Sequence, residues 1–173
     1  VFVGATLSAL FIMAANSWMQ NPVGYTTDEQ TGRPELSSIS DLFTNEVFIW
    51  GYIHVILASL LTGAIVMLAV SAWQMRHRSD GGLFKRSAAL AIVVLVPVSI
   101  VILLVGSHLG VIEATYQPMK IAAAEAQWET CQPCSFSAFQ IGGGNNDENP
   151  TQIIEIPHLL SVLATGTWNG EVV

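Results

Sequence analysis

The sequence predicts an all-α membrane protein: a polytopic transmembrane helix bundle, in the form of a fragment with three spans and a long extracytoplasmic loop. Three observations lead there. Of 173 residues, 51% are hydrophobic and only 11% charged, far below the roughly one quarter usual in soluble domains. The apolar residues gather into three runs, each near the length of about 20 residues that carries a helix across a hydrocarbon core of about 30 Å. The acids behind the formal net charge of −7 fall mainly between Asp28 and Glu46 and between Glu113 and Glu155, outside those runs. With 6 Lys and Arg against 13 acids, the chain offers no basic surface for nucleic acid.

The first span is expected over residues 1–20. It begins inside an apolar run, with no initiator Met, charged leader or cleavage site before Val1, so the chain reads as a piece of a longer protein. Residues 21–46 form an acidic loop, and residues 47–75 a second span. Backbone groups in lipid must be satisfied within the segment, so each span is a helix. Four of the six basic residues, Arg76, Arg78, Lys85 and Arg86, fall in the connector "RHRSDGGLFKR" over residues 76–86. That placement makes the connector cytoplasmic and the loops 21–46 and 106–173 extracytoplasmic. The third span, residues 87–105, carries Pro97 at its middle and is expected to kink there.

In the long loop, Pro118 suits a first helical turn and "MKIAAAEAQWE" favours helix, which predicts a short helix from Pro118 to Glu129. The stretch "GGGNNDENP" marks a flexible link. "IIEIPHLLSVLATGTW" is too short to span and predicts an interfacial or packed helix starting near Pro157.

Cys131 and Cys134 are the only cysteines, and an extracytoplasmic position favours a structural disulfide. Two alternatives stay open. A metal site would have to enlist His108 and His158 at a spacing that fits no zinc pattern. A quinone-linked membrane thiol oxidant would use the CxxC as a redox pair but needs a second thiol pair, which this stretch lacks.

His54, inside the second span, is the most informative histidine, because an ionisable side chain in hydrocarbon is costly without a role. Its plain reading is a neutral ring bonded to a neighbouring helix. Its sharper reading is haem ligation, helped by Ala58, Ser59, Thr62 and Gly63, which allow close approach. A low-spin haem needs a second axial ligand. Met67 lies about 20 Å deeper on the same helix, so Met13 or a residue beyond this chain is the remaining source. His77 reads as a solvated residue of the connector.

"ALFIMAANSWMQNPVGY", a following span with a histidine near its outer end, a connector ending "FKRS", and "MKIAAAEAQWET" occur in that order. Together they resemble subunit I of the cytochrome bd-type quinol oxidases, bacterial terminal oxidases that oxidise quinol and reduce oxygen to water. The resemblance covers essentially the whole chain and implies the fourth, fifth and sixth spans with the first part of the quinol-binding loop. It implies a multi-pass protein of the bacterial cytoplasmic (inner) membrane, partnered by a second membrane subunit, small single-span subunits, lipid and quinol. It further implies that His54 ligates the low-spin haem b of b558 type, while haem b595 and haem d take ligands outside residues 1–173. By the same resemblance, Ser8 and Asn16 belong to the proton route and high-spin haem region, and Lys120 and Glu125 to the quinol loop. "GSHLG", where some relatives carry acids, and the CxxC depart from the family pattern.

Chemistry supports a quinol role for the last pair. Five residues apart on a helix, Lys120 and Glu125 project about 140° from each other, too far round for an i,i+4 salt bridge. A carboxylate can take a proton from a quinol hydroxyl, and an ammonium can hold a ring oxygen as negative charge develops.

Overall fold

A computed structural model of the chain describes residues 1–77, 81–142 and 150–172. The elements run α1 (Phe2–Gln20), β1 (Tyr25–Thr27), β2 (Pro34–Leu36), α2 (Ile39–Thr44), α3 (Glu46–His77), α4 (Gly81–Tyr116), α5 (Pro118–Ala124), β3 (Phe136–Ile141), β4 (Thr151–Ile156) and α6 (Leu159–Thr165). The protein is mainly helical, and α1, α3 and α4 are long and apolar enough to cross a membrane. Large apolar side chains such as Phe11, Ile65, Val93 and Leu104 stand exposed along them. Such surfaces are stable only against lipid or further protein.

Several boundaries differ from expectation. α4 runs 11 residues beyond the expected end at Val105, to Tyr116, and continues through Pro97 without a break. The "GSHLG" stretch and Glu113 are therefore helical. α3 ends at His77 and α4 begins at Gly81, so Lys85 and Arg86 of the connector lie on α4, while Arg78 lies outside the described residues. Two small antiparallel hairpins, β1 with β2 and β3 with β4, were not anticipated. "TQIIEI" is strand β4, the helix expected from near Pro157 is α6 from Leu159, and most of "GGGNNDENP" lies outside the described residues.

The expected helix from Pro118 to Glu129 stops at Ala124. Its end is a Schellman turn: Gln127 N donates to Ala122 O at 2.8 Å and Ala126 N to Ala123 O at 3.4 Å. Ala126 takes φ 48°, a left-handed conformation that glycine normally supplies. No glycine announced the stop.

The chain divides into two units, Val1–Met13 with Trp50–Gly106, and Ala14–Ile49 with Ser107–Val173. In the first, Tyr52 Oη donates to Thr6 O at 3.2 Å. Ser59 and Thr62 fold their hydroxyls back onto Ile56 O and Ala58 O, both at 2.8 Å. In the second, Cys134, Leu160, Ala164 and Val172 form a small core, with Ile121 and Phe136 packed against it. Gly110 is required there, since a Cβ would stand 2.9 Å from Leu163 O.

Asn45 holds the helix ends of the second unit. It is 4% exposed. Its Oδ1 accepts from Val47 N at 3.1 Å, capping α3. Its Nδ2 donates to Asn21 O at 2.9 Å and Ser17 O at 3.4 Å, at the end of α1. We expect Asn45→Ala to lower stability by about 1–2 kcal/mol, the scale of a lost cap. A depressed apparent melting temperature of the detergent-solubilised protein would show it, and an unchanged one would count against the network.

Candidate functional site

The "WMQNPVG" stretch folds into a tight exit from α1. Trp18 Nε1 donates to Val23 O at 3.1 Å. Gly24 takes φ 62°, and a Cβ there would lie 2.6 Å from Ser38 O, so no other residue fits. Gln20 faces α5: its Oε1 accepts from Lys120 Nζ at 3.2 Å, and its backbone oxygen accepts from Gln117 Nε2 at 2.6 Å. The two longest motifs of the sequence thus meet. Lys120 Nζ also forms an ion pair with Glu113 on α4, the one ion pair among the described residues. Tyr116 Oη donates to Glu46 Oε2 at 3.4 Å.

Glu125 caps the end of α5 and is directed elsewhere. Burial, which disfavours the charged form, raises its carboxyl above the ordinary range. It lines a pocket of about 410 Å³ with Gln127, Trp128, Glu129, Cys131 and Gln152. A second pocket of about 380 Å³, with an apolar lining that includes Met119 and Ala123, shares the Ala126–Thr130 segment as a wall. Polar groups on one side and apolar groups on the other suit a ligand with an apolar body and ionisable oxygens. Lys120 and Glu125 are therefore not a bonded pair: one is anchored at the helix ends, and the other opens onto a cavity.

Cys131 and Cys134 are joined by a disulfide. Cys134 is fully buried. Its amide donates to Ser161 Oγ at 2.7 Å, and Cys131 pairs by two backbone bonds of 3.1 Å with Val172. The Cys134 sulfur is thereby shielded from attack by an outside thiolate.

In the first unit, His54 sits on α3 with its Nδ1 buried and without a hydrogen-bond partner. Gly106 of α4 faces it, and a Cβ there would stand 3.3 Å from Cε1 and 3.6 Å from Nδ1. The ring is thus spared both a hydrogen bond to a neighbouring helix and a crowding side chain. That leaves room for an axial haem ligand, which offers one ring nitrogen to the iron. Met13 lays its methyl end against Gly51, one turn before His54. Met67 lines a groove of about 480 Å³ with Thr6, Ser59, Gly63 and Ala64.

The remaining candidates are placed as follows. Ser8 is exposed on α1, and Asn16 Oδ1 accepts from Gln20 Nε2 at 2.6 Å. His108 lies on α4. His158 stacks on Trp168 at 4.8 Å and its Nδ1 meets Trp168 O at 3.1 Å. His77 does likewise with Trp73, at 4.8 Å and 2.9 Å. Among the described residues no group of three or more His, Cys, Asp and Glu converges to hold a metal ion. Sequence reasoning missed Gln20, Glu113 and Gly106. Gln20 lay in plain view inside a quoted motif; Glu113 was assigned to a loop because the length of α4 was underestimated.

Comparison with known proteins gives a consistent answer. Residues 1–173 match the family described as Cytochrome bd terminal oxidase subunit I. The chain is 34% identical over 166 residues, 95% of its length, to Cytochrome bd-II ubiquinol oxidase subunit 1 of Escherichia coli (strain K12), of which it covers 32%. It is 34% identical over 173 residues, 99% of its length, to Cytochrome bd ubiquinol oxidase subunit 1 of Bacillus subtilis (strain 168), of which it covers 36%. The solved bd oxidase from Geobacillus thermodenitrificans superimposes with a TM-score of 0.81 at 26% identity, over 99% of this chain and 39% of that one. The chain thus spans about a third of the length of these curated relatives.

The raised carboxyl of Glu125 has a stability consequence. Its folded-state preference is for the acid form, so its favourable contribution is complete below the ordinary carboxylate range and is lost as pH rises through the raised folded value. Glu125→Gln removes that loss. The melting temperature of the variant minus that of the unmodified protein should therefore increase between about pH 4 and about pH 8. A difference that falls over this range would contradict the desolvated placement.

Proposed function

The chain belongs to the cytochrome bd terminal oxidase subunit I family, and on that premise we propose its function. It is part of the haem-bearing subunit of a bacterial respiratory terminal oxidase that oxidises quinol at the outer face of the cytoplasmic membrane. The observation that carries this reading is His54: an imidazole within an apolar helix, its buried Nδ1 unpaired and its flank opened by Gly106. A low-spin haem b held there as the family implies would supply a one-electron carrier; haem b595 and haem d would take ligands from the rest of the subunit.

The chain's own residues handle the quinol. Glu125, its carboxyl raised by burial, is a stronger proton acceptor than an ordinary carboxylate and takes a quinol hydroxyl proton. Lys120 presents a fixed ammonium to a ring oxygen that gains negative charge as the proton leaves. The Ala126–Thr130 segment shapes the cavity beside Glu125. Arg76, Lys85 and Arg86 around the α3–α4 connector set the orientation, with that connector cytoplasmic. Ser8 and Asn16 are assigned to the proton route and haem environment by family position. The second membrane subunit, small single-span subunits and lipid cover the exposed apolar faces. The relatives' names include both ubiquinol and menaquinol, so the substrate is stated as quinol. A thiol-oxidant role gains no support, because Cys134 is fully buried.

Two experiments on the full-length oxidase test this reading. His54→Ala should abolish the low-spin haem signal in reduced-minus-oxidised spectra and stop quinol oxidation, even where artificial reductants still feed the oxygen site. An unchanged low-spin spectrum would refute the ligand assignment.

The second experiment addresses the quinol pair. Glu125→Ala should lower kcat for quinol by about 100-fold, the scale of a lost general base. Lys120→Ala should act more on apparent KM, with haem content preserved in both variants. Normal quinol kinetics in both would return the two residues to ordinary surface charges.

A further inference from the structure

Lys120 is the tethered member of the quinol pair, and its tether is a residue to which the proposed chemistry gives no role. Glu113 lies on α4 and Lys120 on α5. In an unbroken helix seven residues would set them about 10 Å apart along the axis. The chain breaks at Gln117, with φ −136°, and Pro118, and this bend brings the carboxylate onto the ammonium. Gln20 completes the grip, accepting from Nζ at 3.2 Å while its backbone oxygen accepts from Gln117 Nε2 at 2.6 Å. The Glu113 side chain is 17% exposed and that of Lys120 is 54% exposed. The carboxylate is thus the enclosed, fixed end of the pair, and the ammonium is the end that reaches an outside ligand.

We infer that Glu113 is a positioning residue for quinol oxidation, acting through Lys120. The inference rests on the quinol reading of Lys120. A lysine stem has four rotatable carbons, and its ammonium is a point charge with no fixed direction. Unheld, it samples many positions, and few of them meet a quinol oxygen. Glu113 and Gln20 each take one of its three N–H donors, leaving a third to face outward. The Glu113 charge also offsets that of Lys120, so the ammonium orients a quinol oxygen without holding the oxidised product by a full unbalanced charge.

The test measures quinol kinetics of the full-length, haem-loaded oxidase carrying Glu113→Gln, Glu113→Asp, Lys120→Ala, or Glu113→Gln together with Lys120→Ala. Glu113→Gln should raise KM for quinol roughly two- to fivefold, the range a partly exposed pair supports, with a smaller change in kcat. Glu113→Asp should recover part of the loss. The double variant should match Lys120→Ala alone, because a residue acting only through Lys120 has nothing left to act on. Haem spectra and oxygen reduction with artificial donors should stay unchanged, which separates positioning from misfolding. Additive effects in the double variant, or an unaltered KM in Glu113→Gln beside an impaired Lys120→Ala, would overturn the inference. Unaltered quinol kinetics in Lys120→Ala would overturn the quinol reading of Lys120 and the inference with it.

Discussion

Neutral side-chain amides make the joints on which the second unit depends. A helix end leaves backbone carbonyls without partners, and a helix start leaves amides without partners. Asn45 serves both at once: its oxygen takes the Val47 amide, and its nitrogen reaches Ser17 O and Asn21 O. A carboxylate there has no donor, and an ammonium has no acceptor. Gln20 repeats the device at α5, with Lys120 and Gln117 on its two oxygens. In a chain with only 11% charged residues, amides tie helix ends together without the desolvation penalty of a buried charge.

The three long helices were legible because apolar length is a direct requirement of the hydrocarbon core. Their ends were less so, since nothing in the physics of lipid stops a helix from continuing into water. "SHLGVIEATY" mixes polar and apolar residues with no proline before Pro118, and α4 runs through it. The end of α5 was illegible for the opposite reason: the left-handed position is held by Ala126, whose type carries no stop signal. Strand β4 was not anticipated because "TQIIEI" is a short apolar run whose periodicity alone does not separate strand from helix. At the site, residue types that bear chemistry (His54, Lys120, Glu125 and the cysteines) stood out by being rare in their surroundings. Gln20, Glu113 and Gly106 gain meaning only from a partner distant in sequence.

The structure gives Lys120 and Glu125 opposite electrostatic situations. The ammonium has a counter-ion at hand. The carboxylate has burial that works against its charge. The ion pair holds the ammonium in place as a donor, whereas a desolvated glutamate holds a proton more readily and becomes a better base. Had the two been bonded to each other, the ion pair would have pulled the glutamate towards its charged, weakly basic form. Their separation around α5 therefore keeps apart the donor and the base that the proposed quinol chemistry calls for.

That division also depends on a firm wall. The segment between Glu125 and Cys131 lines both cavities beside α5, and it is fixed at each end by uncharged contacts. The Schellman turn pins Gln127 to Ala122 at one end. At the other, Cys131 pairs with Val172 and joins Cys134, which is buried beneath Leu160 and Ala164. The disulfide closes too few residues to remove much chain entropy, so its effect on the site is positional. It couples the cavity wall to the small core of the second unit. No charged group takes part in either anchor, so the wall can be held rigid without neutralising the carboxylate it shelters.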